Sequence, residues 1–203
     1  MDRVITYVDG FNLYFGLRTK RWYRYYWLNI RELAQNLLLE HQELVKVKYF
    51  TSRVRDNPGK IKRQNTFIEA LETLPDFGIY YGKYQVNMQQ CPKCGFESRI
   101  PSEKMTDVNI ATEMLVDAHK DLFDTAILVS ADSDLTGPVR AIRELFPNKR
   151  VVAAFPPNRT SSDLKQAVHS HFTIGRRKFH TSQFPDTIEK PDGYTLQRPE
   201  RWK

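Results

Sequence analysis

Two cysteines in 203 residues are too few for a disulfide framework, and they stand only three positions apart. Long apolar runs are missing as well. Stretches such as Ala126–Val129 and Val151–Phe155 fall far short of the roughly 20 residues that cross a bilayer. Met1 leads straight into Asp2, Arg3 and a strand-like run, so no secretory leader is expected. The glycine patterns that cradle phosphates, G-x-G-x-x-G and G-x-x-x-x-G-K-[ST], do not occur, and no Ser–His–Asp order stands out. These absences predict a cytoplasmic protein without a membrane partner, and they set aside dinucleotide folds, P-loop enzymes and triad hydrolases.

What is present is a globular composition, 40% hydrophobic and 27% charged, on a chain long enough for one full core or one domain plus a tail. The net charge of +7 is modest, but it is segregated. Leu17 to Trp27 carries four bases and no acid, and Lys46 to Arg63 carries seven bases against Asp56. Glu103 to Asp134 holds eight acids against Lys104 and Lys120. An acidic focus bordered by positive surface suits a polyanion held beside metal-binding carboxylates. Separate solvated helix faces are the plainer alternative.

Short β-branched runs alternate with helical stretches. Val4–Val8, Leu44–Thr51, Phe77 to about Gln85, Thr125–Ser130, Arg150–Phe155 and Phe172–Ile174 read as strands. Helices are expected at Leu28–Leu39, from Pro58 through Leu74, from Pro101 with a stripe of Val108, Ala111, Leu115 and Ala118, and at Ser133–Phe146 and Ser161–Ala167. The alternation predicts an α/β three-layer sandwich around a mainly parallel sheet. Residues 1–175 form the expected domain, with a cysteine-containing insertion near 86–102, and 176–203 read as a basic tail.

In such sheets ligands bind beyond the carboxyl ends of the strands. Asp9 ends the first strand, and Asp132 and Asp134 follow the fourth, while Asp107 lies near a helix start at the same edge. Converging carboxylates resist joint ionisation, and a hard divalent ion, Mg²⁺ or Mn²⁺, removes the conflict. Taken singly, each Asp could instead cap a helix or make a turn. A phosphatase of the haloacid dehalogenase type would need a second Asp two positions after Asp9, where Phe11 stands.

Asp9-Gly10-Phe11-Asn12, Lys104-Met105-Thr106-Asp107-Val108 and Ser130-Ala131-Asp132-Ser133-Asp134-Leu135 together resemble the NYN domain of the PIN-like nuclease superfamily, most closely its LabA-like branch. The likeness covers about residues 3 to 155. It implies a Rossmann-like sheet of strand order 3-2-1-4-5 and metal-dependent ribonuclease chemistry giving 5′-phosphate and 3′-hydroxyl products. Asp9, Asp107 and Asp132 would bind metal, Asp134 would be a further carboxylate, and Asn12 would orient a metal-bound water or a phosphate. Ser130 or Ser133 would contact phosphate. Many LabA-like proteins have Gly where Ala131 stands.

The segment from Arg18 to Trp27 interleaves bases and aromatics. Trp22 is expected to stack on unpaired bases while Arg18, Arg21 and Arg24 hold phosphates, unless the rings are core. Arg53, Arg55 and Lys60 extend a phosphate track, and Lys104 is placed to stabilise transition-state charge. Cys91 and Cys94 form half of a zinc knuckle, to be completed by a His or by the same knuckle in a homodimer, if zinc binds at all. The expectation is a Mg²⁺- or Mn²⁺-dependent ribonuclease acting on single-stranded RNA. A non-catalytic RNA-binding scaffold and a small-nucleotide phosphohydrolase are the alternatives.

Overall fold

The computed structural model describes residues 1–203 except 56 and 91, with backbone alone for 84–87, 89 and 98–103. In chain order the elements are β1 (Asp2–Asp9), α1 (Gly10–Thr19), α2 (Ile30–Leu37), β2 (Gln42–Thr51), α3 (Pro58–Glu72), β3 (Phe77–Tyr81), β4 (Lys83–Gln90) and β5 (Glu97–Lys104). There follow α4 (Thr106–His119), β6 (Thr125–Val129), α5 (Thr136–Leu145), β7 (Arg150–Phe155), α6 (Ser162–Ala167) and β8 (Ser170–Thr173). The chain ends with α7 (Arg176–Thr181), β9 (Thr187–Glu189), β10 (Thr195–Gln197) and a last turn at Glu200–Trp202.

The main sheet has six strands in the order β3-β2-β1-β6-β7-β8, every neighbour parallel. Numbered within that sheet alone, the order is 3-2-1-4-5-6, the expected arrangement with one more edge strand. Parallel strands require crossovers, so helices cover both faces; β6 is buried throughout and β1 from Val4 onward. One apolar cluster joins Val4, Val8, Val47 and Tyr49 to α1, α2 and α3, including Leu13, Leu33 and Leu71. The other joins Ile5, Tyr7, Phe50 and Leu128 to α4, α5 and α6, including Met114, Ile142 and Leu164. Among the described residues no helix is long and apolar enough to cross a membrane.

Four local readings change. Gly10–Thr19, whose buried apolar stripe is only Leu13 and Leu17, is a helix. The long third strand breaks at Gly82, and its second half pairs antiparallel with β5 as a hairpin reaching Lys104. The next helix therefore starts at Thr106, and it is rotated from the expected stripe. Ile110, Met114, Asp117 and Ala118 face inward while Val108 is exposed, because the inner face carries a buried ion pair rather than only apolar groups.

The segment after Gly175 is not a tail. Phe179, Phe184, Leu196 and Trp202 are buried in the first cluster, and β9 pairs with β10. Trp27 Nε1 donates to the Pro185 carbonyl at 2.7 Å. A few large rings, spaced among bases and prolines, each remove enough apolar surface from water to hold this stretch in place, about 1.5–3 kcal/mol per buried side chain.

Candidate active site

Asp9 is the last residue of β1 and the N-cap of α1. Its carboxylate is 4% exposed, and both of its oxygens are held. The Asn12 backbone N–H donates to Oδ1 at 2.9 Å, and the Ser130 hydroxyl donates to Oδ2 at 2.9 Å. Gly10 makes this packing feasible. A Cβ there would lie 2.6 Å from the Tyr49 ring and 2.8 Å from the Phe50 carbonyl oxygen at the end of β2.

The loop after β6 is tied to Asp9 by the same groups. Ser130 is fully buried and its Oγ also accepts from the Asp132 N–H at 3.1 Å. The Ala131 N–H donates to Asn12 Oδ1 at 3.2 Å. Asp132 in turn caps the short turn Ser133–Leu135, accepting from the Asp134 N–H at 3.0 Å. Asp9 and Asp132 therefore are helix caps, and they are also neighbours across the strand ends.

Burial is the main reason the Asp9 pKa is raised from 3.8 to about 6. The Asn12 and Ser130 hydrogen bonds oppose the rise, and the charges of Asp132 and Asp107 add to it. Asp107, in the first turn of α4, is exposed at the rim, yet its pKa is raised too. Loss of hydration contributes most, then Asp132, with Asp134 beyond it. Asp9, Asp107, Asp132 and Asp134 thus share one electrostatic field at the carboxyl edge. Among the described residues none of them is ion-paired. The donors are hard oxygens with unrelieved mutual repulsion, which fits Mg²⁺ or Mn²⁺ in kind. They are not drawn into a cage: among the described residues no three His, Cys, Asp or Glu side chains lie close enough together to hold an ion.

Several expected contacts change in detail. Ser130 is sealed beneath Asp9 and cannot touch a phosphate, whereas Ser133 is exposed. Asn12 is buried, with its side-chain oxygen committed to the Ala131 N–H. Trp22 is half-buried, with Tyr25 and Phe179 packed edge-to-face with its ring and the Arg176 guanidinium over it. Tyr25 and Trp27 are core and Tyr26 is half-buried, so the plainer reading holds for part of this segment, whereas Tyr23 is exposed. Arg18, Arg21 and Arg24 are exposed, and Arg24 bonds Tyr25 Oη. Arg53 lies over the Tyr81 ring and donates to Asn65 and Tyr81, while Arg55, Lys60 and Lys104 are exposed. Lys48, counted in the basic stretch, is buried against Glu113 and Asp117 and belongs to the core instead. Cys94 is an exposed free thiol, and Cys91 lies outside the described residues.

What the sequence did not show is the outer face of α1. Phe11, Tyr14 and Phe15 form a chain of rings beginning two residues after Asp9, and Tyr14 and Phe15 are exposed. Recognising α1 as a helix would have placed Phe11, Phe15 and Arg18 on one side of it.

A solved structure of a protein of unknown function from Vibrio parahaemolyticus RIMD 2210633 shares this fold. It has a TM-score of 0.58 and 21% identity over 86% of this chain and 94% of that one. The 6-hydroxy-3-succinoylpyridine 3-monooxygenase HspA of Pseudomonas putida is 24% identical over 98% of this chain and 75% of its own length. The family profile described as the NYN domain matches residues 3–175, a span that begins in β1, takes in every strand of the main sheet and includes all four carboxylates. With that sheet order and that edge, the chain belongs to the NYN domain family of the PIN-like superfamily.

Proposed function

We propose that this protein is a metal-dependent ribonuclease that hydrolyses phosphodiester bonds of single-stranded RNA. NYN membership suggests a nuclease-like activity, and the observation that carries the finer reading is the buried Asp9 carboxyl, raised to about 6 in the field of Asp107 and Asp132. Asp9, Asp107 and Asp132 would hold Mg²⁺ or Mn²⁺, with Asp134 beside them. Bound there, such an ion supplies Lewis acidity and lowers the pKa of water. The chain's own part is positioning. Ser130 and the Asn12 amide fix both oxygens of Asp9, and Arg53 and Arg55, exposed in the loop after β2, with Lys60, exposed in the first turn of α3, would attract the backbone.

The test is end-labelled single-stranded RNA incubated with wild type and Asp132→Asn, each in Mn²⁺ or in chelator. Wild type should cut only with Mn²⁺, and Asp132→Asn should be slower by about 100-fold or more. Equal cleavage by both proteins, or none by wild type, overturns the proposal. A finer check is Ser130→Ala. Without the hydroxyl, Asp9 loses a bond that stabilises its charged form, so its pKa rises further. The acid limb of the pH–rate profile should move to higher pH, with a rate loss of about tenfold. An unmoved limb would show that Asp9 is not the titrating group.

A second reading is favoured by the name of the Pseudomonas relative and by the rings beside Asp9. Here the edge would take a free hydroxypyridine. It predicts that 6-hydroxy-3-succinoylpyridine, supplied with oxygen and a two-electron reductant, is consumed while labelled RNA stays intact.

A further inference from the structure

Exposed rings next to an active edge call for an occupant. Phe11, Tyr14, Phe15 and Arg18 stand on the outer side of α1. The ring centroids run without a gap: Phe11 to Phe15 at 6.2 Å, Phe15 to Tyr14 at 5.3 Å, Tyr14 to Tyr26 at 5.0 Å and Tyr26 to Tyr23 at 5.7 Å. The ladder is braced at Tyr26, which packs edge-to-face with Trp202. The outer members are open: Phe15 is 36% exposed, Tyr14 40% and Tyr23 47%.

Two arginines frame Phe15. The Arg18 guanidinium lies over the ring 5.9 Å from its centroid and that of Arg159 lies 5.6 Å away, near the outer reach of a cation–π contact, and Phe15 keeps 36% of its surface open. Neither has a carboxylate partner among the described residues, whereas Arg3, Lys48 and Lys149 all do. Arg159 Nε is buried with no hydrogen-bond partner. Arg159 comes from the loop after β7, and that loop is pressed onto α1 at Gly16. A Cβ on Gly16 would lie 2.9 Å from Pro156 Cβ and from the Pro157 carbonyl oxygen. The platform is therefore built from two strand ends of the active edge, and its cations await an anion.

We propose that Phe15 is the stacking platform for one unpaired base of an RNA strand, with Arg18 and Arg159 holding the phosphates on either side of that base. This rests on the RNA reading above and names the subsite that would select single strands. Only an unpaired base exposes a face to a ring, and the guanidinium pair supplies the charge complement that a neutral aromatic ligand would leave unmet. Because Phe15 lies on the helix that Asp9 caps, the stacked base would fix the strand relative to the carboxylates.

The test uses the full chain in chelator, so that binding is read without cleavage, by fluorescence anisotropy with a labelled single-stranded RNA and with an abasic strand of the same length. Phe15→Leu, which keeps an apolar side chain at an exposed position, should weaken RNA binding about 5- to 150-fold and leave the abasic strand unchanged. Arg159→Gln should reduce the slope of log affinity against log salt by about one. Unchanged RNA binding in Phe15→Leu, or equal loss on both strands, overturns the platform. So does sedimentation showing a dimer that Phe15→Leu dissolves, since the rings would then be covered by a second copy. If wild type cuts RNA while Phe15→Leu binds it normally, the platform alone fails. If wild type binds RNA but never cuts it, the ribonuclease reading fails and the platform stands.

Discussion

Asp9→Asn is expected to lose RNA cleavage by about 100-fold or more and, in chelator at neutral pH, to be more stable than wild type. Both effects come from one placement. The carboxyl is buried at the end of β1, and its pKa is raised from 3.8 to about 6. A carboxyl with a raised folded pKa contributes stability that is fully present below about 4. That contribution is lost as pH rises through about 6, because the folded state must then ionise a group that water would ionise more easily. The loss amounts to at most about 3 kcal/mol. Asparagine keeps the shape and removes the titration. Urea unfolding of both proteins in chelator at several pH values between 4 and 8 measures the difference directly. Wild type should fall behind Asp9→Asn as pH rises through that window and run parallel to it above. A gap independent of pH would refute the placement of the charge. Added Mn²⁺ should raise the wild-type unfolding midpoint, since a ligand that binds the folded state stabilises it, and leave Asp9→Asn nearly unmoved.

The second large effect concerns Lys48. Its Nζ lies 2.6 Å from Glu113 Oε2 and 2.6 Å from Asp117 Oδ2, and Tyr7 Oη donates to the same Asp117 oxygen at 2.6 Å. Burial by itself would lower the Lys48 pKa, but the bonds to Asp117 and Glu113 outweigh it and raise it. Lys48→Met removes the cation and leaves Asp117, 2% exposed, as an uncompensated charge between the sheet and α4. A loss of about 3–5 kcal/mol is expected in denaturant unfolding. Lys48→Met combined with Asp117→Leu should recover part of that loss, because no charge is then stranded. If the double variant is no better than the single one, the ion pair is not what the lysine supports. The same helix, α4, carries Asp107 in its first turn.

The strand ends were legible because short apolar runs stop at or just before aspartates, at Asp9 and at Asp132, and three motifs in order narrowed the family. The rest was hidden for particular reasons. Lys48 looks like the solvent side of an alternating strand, but β2 lies between β1 and β3 with both faces covered, so alternation there does not mean exposure. In α1 the pattern is blurred: Leu13 and Leu17 face inward, but Asn12 and Gly16 join them while Tyr14 and Phe15 face outward, so no strong apolar stripe announces a helix. The aromatic run at Trp22–Trp27 gives the right residue types for stacking, and only the fold shows that Phe179 stacks on Tyr25 and that Phe179 and Arg176 pack against Trp22. Average composition concealed the last stretch, since its few rings are diluted by bases and prolines while each one fills a large volume.

That last stretch has a practical corollary. The family match stops at residue 175, yet Phe179, Phe184 and Trp202 sit in the interior alongside Trp27. An expression boundary drawn at the family's edge would strip an aromatic seam from the back of α2 and leave the Trp27 indole without its Pro185 acceptor. Such a fragment would be sticky before it was inactive, and a negative result in a nuclease assay on it would say nothing about the carboxylates.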